Sequence, residues 1–369
     1  MAYFSRMNWN LFRCGAVFLL LPALSAVRVA AGPVESLLRD EIRAHHVVGL
    51  ACLVVKNGRT SIHFFEGSAN LEWPSRVDAD TAFEIGSVSK QFAAAAILLL
   101  AQDGKLSLND PIGKYLTNAP PAWHDVRIWH LLSHTSGIRT YDGLEGFELR
   151  QHLTQAQFIA RLAQQPMKSA PGTNWSYCNS GYNLLGFIVE NVSRTNYWDF
   201  LQQRIFTPLQ MTHSTRRDPW LIIPQRATGY VYSEGAQEVR DYDLTDLFAA
   251  GAGVSTVGDL AKWDAALMDN TLLNEKSRTA WWTPVRLANG QPVATRVSPP
   301  ESYGFGWFIR TVNGHRNIGH TGITSGFSAA NELFPDDHMA IIVLSNTDEG
   351  TFAGDLARKV ALLLLPAAN

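Results

Sequence analysis

Ser87 and Lys90 are the first residues whose types and spacing could perform chemistry together. They stand in the segment SVSK, at the start of a strongly helical run over 91–102. Side chains three residues apart on a helix share a face, so these two can touch. A serine becomes a nucleophile when a neighbouring base takes its proton, and burial lowers the pKa of a lysine so that it can be that base. The alternative is an N-capping serine followed by a solvated lysine.

Tyr177 and Asn179 form a second candidate group, in the segment YCN of a loop that follows Pro171-Gly172. A tyrosine can relay protons when a nearby cation lowers its pKa. The asparagine could hold a substrate carbonyl or orient the lysine. The alternative is a partly buried loop tyrosine beside a turn-forming asparagine. The sequence leaves open whether Lys90 or Tyr177 is the general base.

His320, Thr321 and Gly322 form a third group, just before a predicted strand at 325–334. A glycine beside polar residues on an edge strand lets a substrate backbone lie against it, although a strand-entry turn would also use these residues. No GxSxG segment occurs, which argues against an ordinary α/β-hydrolase. Ser136, in the segment HTSG, is the rival nucleophile, but it lies in a predicted turn with no lysine near it.

In this order and at these separations, SVSK, YCN and HTG resemble the signature of class C β-lactamases and their relatives. These relatives include D-alanyl-D-alanine carboxypeptidases, D-aminopeptidases and family VIII esterases. The resemblance extends over essentially 34–366, including the segments at 130–137, 171–186, 249–260 and 303–307. It implies that Ser87 is the nucleophile and Lys90 its partner. It also implies that Tyr177 is a proton shuttle and that Asn179 hydrogen-bonds the substrate.

The resemblance also assigns roles around the third group. His320, Thr321 and Gly322 would form a strand at the edge of the substrate cleft, and the backbone N–H groups of Ser87 and Ile323 would form the oxyanion hole. No metal and no cofactor is implied. Class C β-lactamases usually have Lys-Thr-Gly here, whereas this chain has His320, as in the peptidases and esterases. An ordinary histidine is mostly neutral above neutral pH, so we expect substrate carboxylates to bind less well than at a lysine.

Three functions follow as expectations. The first is a serine hydrolase that forms an acyl-enzyme on Ser87 and acts on D-alanyl peptides or small esters, with slow turnover of β-lactams. The second is a true class C β-lactamase. The third is a binding or sensor protein that β-lactams acylate without turnover. The expected partner is a small-molecule or peptide substrate. A formal net charge of -2 shows no basic surface for nucleic acid.

The elements that must position these groups follow from hydrophobic patterning. Both ends of the chain predict β-strands, and the middle is mostly helical. The predicted strands are 48–56, 60–70, 303–312, 325–334 and 338–346. The predicted helices are 33–46, 87–103, 154–164, 181–193, 197–204, 257–268 and 351–365. The fold class is therefore α+β: one antiparallel sheet built from both chain ends, flanked by terminal helices, with an inserted mainly helical domain.

The domain boundaries and the destination of the protein follow from composition. Residues 1–31 have a positive start, an apolar stretch and small residues before a cleavage site, which predicts a signal peptide and a periplasmic or secreted protein. We expect no membrane span after its removal. The sheet domain would comprise 32–84 and 300–369, and the helical domain 85–299. Two of the three cysteines, Cys52 and Cys178, would remain, and we expect both to be free thiols.

Overall fold

The computed structural model describes residues 32–295 and 300–367. The predicted signal peptide at 1–31 lies outside the described residues. Within the described ranges, no helix combines the length and the apolar character that a membrane crossing requires.

The secondary structure of the described residues comprises strands, α-helices and short tight turns. The strands are β1 (Gly49–Lys56), β2 (Arg59–Asn70), β3 (Ser75–Arg76), β4 (Phe83–Glu84), β5 (Thr215–Arg216), β6 (Tyr230–Ser233), β7 (Ala236–Val239), β8 (Gly253–Ser255), β9 (Ser302–Tyr303), β10 (Phe308–Val312), β11 (His315–Thr324), β12 (Phe327–Phe334) and β13 (Met339–Ser345). The α-helices are α1 (Pro33–Ala44), α2 (Ser89–Gln102), α3 (Ile128–Leu132), α4 (Gln155–Ala163), α5 (Asn179–Ser193), α6 (Tyr197–Leu201), α7 (Phe248–Gly251), α8 (Val257–Met268), α9 (Glu275–Trp281) and α10 (Phe352–Leu364).

A single large antiparallel sheet joins the two ends of the chain. Its strand order is β3-β2-β1-β13-β12-β11-β10-β9, so the first long strand lies beside the last one. The register places Cys52 of β1 opposite Val343 of β13. The predicted α+β fold class, with a sheet built from both chain ends, is therefore confirmed.

Both faces of the sheet are covered, which explains why β1 is a nearly continuous apolar run. Alternate side chains of a strand point to opposite faces. Cys52 belongs to the apolar cluster beneath α1 and α10, whereas its neighbour Leu53 belongs to the cluster that contains α2. Helix α2 is buried on almost all sides, as expected of a helix that is apolar all round. The domain boundaries at 84/85 and 299/300 stay predictions.

The third motif lies in a strand that hydrophobic patterning did not predict. The pattern predicts a strand at 325–334, but residues 315–324 already form β11, and β12 begins only at Phe327. The predicted strand 303–312 is also divided, into β9 and β10. β10 pairs with β11 only as far as Gly319, so residues 320–324 have β12 on one side and, within the described residues, no paired strand on the other. Only this second half of β11 is an edge, as expected for the third motif.

Two of the predicted helices change helix type at one end. The predicted helix 87–103 begins as a 3-10 turn at Gly86–Val88, and α2 proper starts at Ser89. The predicted helix 197–204 stops at Leu201 and continues as a π-helical turn at Gln202–Phe206. The helix predicted at 257–268 has those bounds as α8. Cys52 and Cys178 are both buried free thiols, as predicted.

A buried polar cluster connects α2, α8 and the sheet. Asn331 of β12 donates to Asp264 Oδ1 over 2.8 Å and to Gln91 Oε1 over 3.2 Å. The second carboxyl oxygen of Asp264 has no hydrogen-bond partner within the described residues. Burial raises the pKa of Asp264 from 3.8 to about 8, because the ionised form has lost its hydration. The folded protein therefore favours the neutral, protonated form of this carboxyl.

The variant Asp264→Asn tests whether the carboxyl of Asp264 is protonated in the folded protein. A carboxyl whose folded-state pKa is raised contributes stability that is fully present below the unfolded-state pKa and is lost as the pH rises through about 8. Between about pH 5 and about pH 9, the free energy of unfolding of the native protein should therefore fall by roughly 4 kcal/mol relative to that of the variant, because each of about three pH units below the folded-state pKa contributes about 1.4 kcal/mol. Urea unfolding across this range measures both curves. Asp40→Asn, on the exposed face of α1, is the control and should follow the native curve; a parallel course for Asp264→Asn would contradict the assignment.

Candidate active site

Ser87 lies in a tight turn between β4 and α2, and its hydroxyl contacts the lysine one turn later. The distance between Lys90 Nζ and Ser87 Oγ is 2.9 Å. Gly86 makes this turn possible, because its φ of +50° lies in the left-handed region that favours glycine. Ser87 lines an open cleft, whereas Lys90 beneath it is fully buried. The structure thus brings together the two residues of the first predicted motif.

The Lys90 ammonium group is enclosed by backbone and aromatic rings. Its Nζ donates to the carbonyl oxygen of Ala250 over 2.7 Å. It also lies 4.8 Å from the ring centroid of Tyr177 and 5.4 Å from that of Tyr182. Burial lowers its pKa from 10.5 to about 7, against an opposing effect of the Asp142 carboxylate. Near neutral pH a substantial fraction of Lys90 is therefore neutral and able to accept a proton.

Tyr177 borders the same pair from the loop that precedes α5. Burial raises the pKa of its phenol, and a hydrogen bond with Ser87 acts in the opposite direction. The phenol is therefore protonated at neutral pH, when part of Lys90 is already neutral. Of the two candidate bases that the sequence left open, Lys90 is the one whose pKa matches the task.

Asn179 begins α5 and points towards the cleft, held by residues that the sequence analysis missed. Its side-chain amide donates to Asp142 Oδ2 over 2.8 Å, and its backbone N–H donates to Thr140 Oγ1 over 3.2 Å. Its Oδ1 has no partner within the described residues. Thr140 and Asp142 follow the HTSG segment by a few residues, and no pattern in the sequence marks them.

Two glycines bring the first motif against the third. A Cβ added to Gly86 would lie 2.7 Å from the backbone nitrogen of Ile323. A Cβ added to Gly322 would lie 1.9 Å from the carbonyl oxygen of Ile85 and 2.9 Å from the backbone nitrogen of Ser87. Only glycine allows this approach, which sets the backbone nitrogens of Ser87 and Ile323 beside each other. These are the two groups expected to bind an oxyanion.

The side chains of His320 and Thr321 point to opposite faces of β11. His320 is buried, and its ring lies against Tyr177 and Phe308, with centroid distances of 6.1 Å and 5.0 Å. The methyl group of Thr321 instead lies against Gly354 of α10. The expected direct contacts of these side chains with substrate therefore stay predictions.

A chain of hydrogen bonds links His320 to the loop of Tyr177. His134 Nδ1 accepts the backbone N–H of Cys178 over 3.1 Å, so the ring proton lies on Nε2, which donates to the hydroxyl of Tyr303 over 3.2 Å. His320 Nδ1 donates to the carbonyl oxygen of Thr321 over 2.6 Å, so its Nε2 accepts the Tyr303 hydroxyl proton over 3.2 Å. The three side chains thus form one directional chain in which both histidines are neutral.

Burial keeps these histidines neutral. It lowers the pKa of His320 to about 3, and it lowers that of His134 well below 6.5; in both cases the nearby Lys90 has the same effect. His134 and Tyr303 had no role in the sequence analysis, although both fall in segments that resemble the family. Their side chains meet only because β9 lies beside the helical region.

The remaining sequence candidates lie apart from this group. The Ser136 hydroxyl is buried and accepts a hydrogen bond from the backbone N–H of Ile138 over 3.2 Å, so this contact brings no base to Ser136.

Among residues 32–295 and 300–367, no group of three His, Cys, Asp or Glu side chains could hold a metal ion.

The cleft above Ser87 has a volume of about 310 Å³. Its walls combine backbone, apolar side chains and two carboxylates. The lining residues are Gly86, Ser87, Asp142, Leu149, Asn179, Leu244, Leu247, Ala250, Gly251, Ile323, Thr324, Ser325 and Asp348. A serine hydroxyl beside a buried lysine whose pKa is near neutrality, with two backbone nitrogens close by, is an arrangement suited to acyl transfer.

Comparisons with known proteins cover most of the chain. The Beta-lactamase family model matches residues 34–365. A penicillin-binding protein of Bacillus subtilis (strain 168) is 29% identical over 333 residues, covering 85% of this chain and 71% of its own. The octameric penicillin-binding protein homologue from Pyrococcus abyssi has a TM-score of 0.79 and 27% identity, over 90% of this chain and 76% of that chain. The D-amino acid amidase from Ochrobactrum anthropi SV3 has a TM-score of 0.78 over 90% of this chain and 96% of that chain; its 23% identity supports the fold alone.

The hydrogen-bond chain predicts the protonation of two histidines. In ¹⁵N spectra of histidine side chains, His320 should show the neutral Nδ1–H form and His134 the neutral Nε2–H form from about pH 5 upwards, because burial lowers both pKa values. Tyr303→Phe removes the hydroxyl between the rings and should shift the Nε2 signals of both. His124→Gln, at an exposed site, is the matched control. Titration of His320 near pH 6.5, or unmoved signals in Tyr303→Phe, would contradict the chain.

Proposed function

Because the chain belongs to the β-lactamase family, we propose that it is an exported serine hydrolase that forms an acyl-enzyme on Ser87. The observation that supports this best is the 2.9 Å contact between Ser87 Oγ and Lys90 Nζ at the base of an open cleft. Export rests on the predicted signal peptide. The proposed substrates are D-alanyl peptides and small esters, with slow turnover of β-lactams.

In the proposed first step, neutral Lys90 accepts the proton of the Ser87 hydroxyl while Oγ attacks the substrate carbonyl carbon. The carbonyl oxygen becomes an oxyanion between the backbone N–H groups of Ser87 and Ile323. The Lys90 ammonium that forms keeps its hydrogen bond to the carbonyl of Ala250 and lies beside the ring of Tyr177. Asn179 orients the substrate from the opposite wall.

In the proposed second step, the tetrahedral intermediate collapses and the leaving group departs. The phenol of Tyr177 donates its proton to the leaving atom and takes a proton from Lys90, which restores both groups. A raised pKa suits Tyr177 to this role, because it carries its proton at neutral pH. A water molecule then attacks the acyl-enzyme, the same groups remove its proton, and Ser87 leaves with its proton restored.

Acylation by β-lactams without rapid turnover is a second candidate. It is supported by relatives that are named as penicillin-binding proteins. The two candidates share the acylation step and differ in how fast water reaches the acyl-enzyme. A true β-lactamase is less well supported, since buried, neutral His320 lies where class C β-lactamases have a lysine.

Covalent labelling tests the nucleophile. A fluorescent penicillin or a fluorophosphonate should label Ser87, with the adduct located by mass spectrometry, and Ser87→Ala should abolish labelling because no second serine contacts a base in the described cleft. Ser136→Ala, at the rival serine, is the matched control and should be labelled like the native protein. Labelling on Ser136, or unchanged labelling of Ser87→Ala, would refute the assignment.

The pH dependence of acylation tests the base. Because Lys90 acts in its neutral form, with a pKa of about 7, the acylation rate should rise with pH through neutrality and level off above it. Lys90→Arg keeps the charge but cannot deprotonate, and should lose roughly 10²–10⁴-fold in acylation rate. Lys262→Arg, on the exposed face of α8, is the matched control. Near-native acylation by Lys90→Arg would show that the charge alone is required.

A further inference from the structure

The described walls of the cleft carry negative charge only. Asp142 and Asp348 are the ionisable side chains among the lining residues, and no Lys, Arg or His belongs to that set. Lys90 contributes from beneath the surface and is fully buried. An approaching ligand therefore meets two carboxylates before it reaches the nucleophile.

The two carboxylates belong to different walls. Asp142 is anchored by the amide of Asn179, so its charge lies beside the second motif. Asp348 follows β13, and its backbone N–H donates to the carbonyl oxygen of Tyr230 over 2.8 Å. Its carboxylate accepts only the backbone N–H of Gly350, at 3.4 Å, among the hydrogen bonds of the described residues. Neither aspartate has an ion-pair partner within residues 32–295 and 300–367, so both charges are available to a ligand.

Apolar side chains line the same cleft as the two carboxylates. Leu149, Leu244 and Leu247 line the cleft, and Ile323 is 45% exposed at its rim. Such walls concentrate the electric field of nearby charges, which strengthens the effect of those charges on a bound ligand. A ligand with an apolar body and a cationic group fits this combination, whereas a carboxylate beside the reacting bond would be repelled.

We propose that the cleft selects substrates that carry a positively charged amine, and no carboxylate, beside the bond that Ser87 attacks. The proposal rests on the proposed acyl-transfer function and narrows its substrate class. It favours amides and esters of amine-bearing compounds over penicillins and over peptides with a free C-terminal carboxylate close to the scissile bond. Asp142 and Asp348 are the specificity-determining residues.

Two series of matched substrates test the proposal. The thioacetates of 2-(trimethylammonio)ethanethiol, 3,3-dimethylbutanethiol and 3-mercaptopropionate place a positive, zero or negative charge on the leaving group. The p-nitroanilides of D-alanine, N-acetyl-D-alanine and N-succinyl-D-alanine vary the charge of the acyl group. In at least one series, kcat/KM should fall from cation to neutral compound to anion by about tenfold at each step, as for one charge-assisted contact. Added salt should compress this order, because screening weakens exposed charges.

Variants assign the effect to the two carboxylates. Asp348→Asn, Asp142→Asn or both should reduce the cation-to-neutral ratio of kcat/KM several-fold. The ratio removes any general loss of activity, which matters for Asp142 because it contacts Asn179. Asp40→Asn makes the same change in net charge on α1, far from the cleft, and should leave the ratio unchanged.

The outcomes separate this inference from the function on which it rests. If no thioester or anilide of either series, whatever its charge, is hydrolysed in a manner that depends on Ser87, the proposed hydrolase function fails. If neutral substrates are hydrolysed but both series are flat or reversed, the function stands and the inference is overturned. A cation preference that persists in the double variant also overturns it, because the charge would then come from other residues.

Discussion

The hydrogen bond between Ser87 and Lys90 is the interaction on which the site depends, and it requires a lysine buried without a counter-ion. Within the described residues, Lys90 Nζ has a carbonyl oxygen and a hydroxyl oxygen as partners, with no carboxylate in contact. Burying an unpaired ammonium group costs free energy unless it loses its proton. The same burial lowers the pKa of Lys90 to about 7, so the unfavourable feature of the fold also underlies the reactivity that we propose for the site.

Three chain segments must meet closely to form this environment, and small residues allow it. Gly86 and Gly322 let the turn before α2 touch β11. Gly253 of β8 lies against Ser89, whose hydroxyl would be 2.5 Å from an added Cβ. Glu84 links these segments, because its carboxylate accepts a hydrogen bond from the hydroxyl of Thr324 over 2.8 Å and forms an ion pair with the buried Arg217. Ser87, the proposed nucleophile, is therefore positioned by the sheet, although Lys90, its proposed base, belongs to helix α2.

Structural features that depend on local sequence pattern could be predicted from the sequence. Features that depend on contacts between distant segments could not. The terminal hairpin and the helix at 257–268 follow from apolar periodicity, and the SVSK spacing places Ser87 beside Lys90. The strand at 315–324 was missed because Gly319, Gly322 and polar residues interrupt its apolar alternation. The hydrogen-bond chain runs from His134 through Tyr303 to His320, residues that lie up to 186 positions apart in the sequence. No rule based on residue spacing could reveal it. Asp348 likewise reaches the cleft only through the pairing of β12 with β13.

Electrostatics around Ser87 follow from which polar groups are buried and which are exposed. The histidines behind Tyr177 are buried, donate their protons to fixed acceptors and stay neutral, so they would not oppose the positive charge that Lys90 gains in the proposed acylation. The carboxylates of Asp142 and Asp348 lie at the surface of the cleft. There they repel an incoming anion, whereas their negative charge does not disfavour the ammonium form of the buried Lys90. A positively charged His320 would reverse both effects, since it would lower the proton affinity of Lys90 further and attract anions. The directional hydrogen bonds of Tyr303, which leave His320 Nε2 as an acceptor, thus help to set both the strength of the base and the charge of the ligand that reaches it.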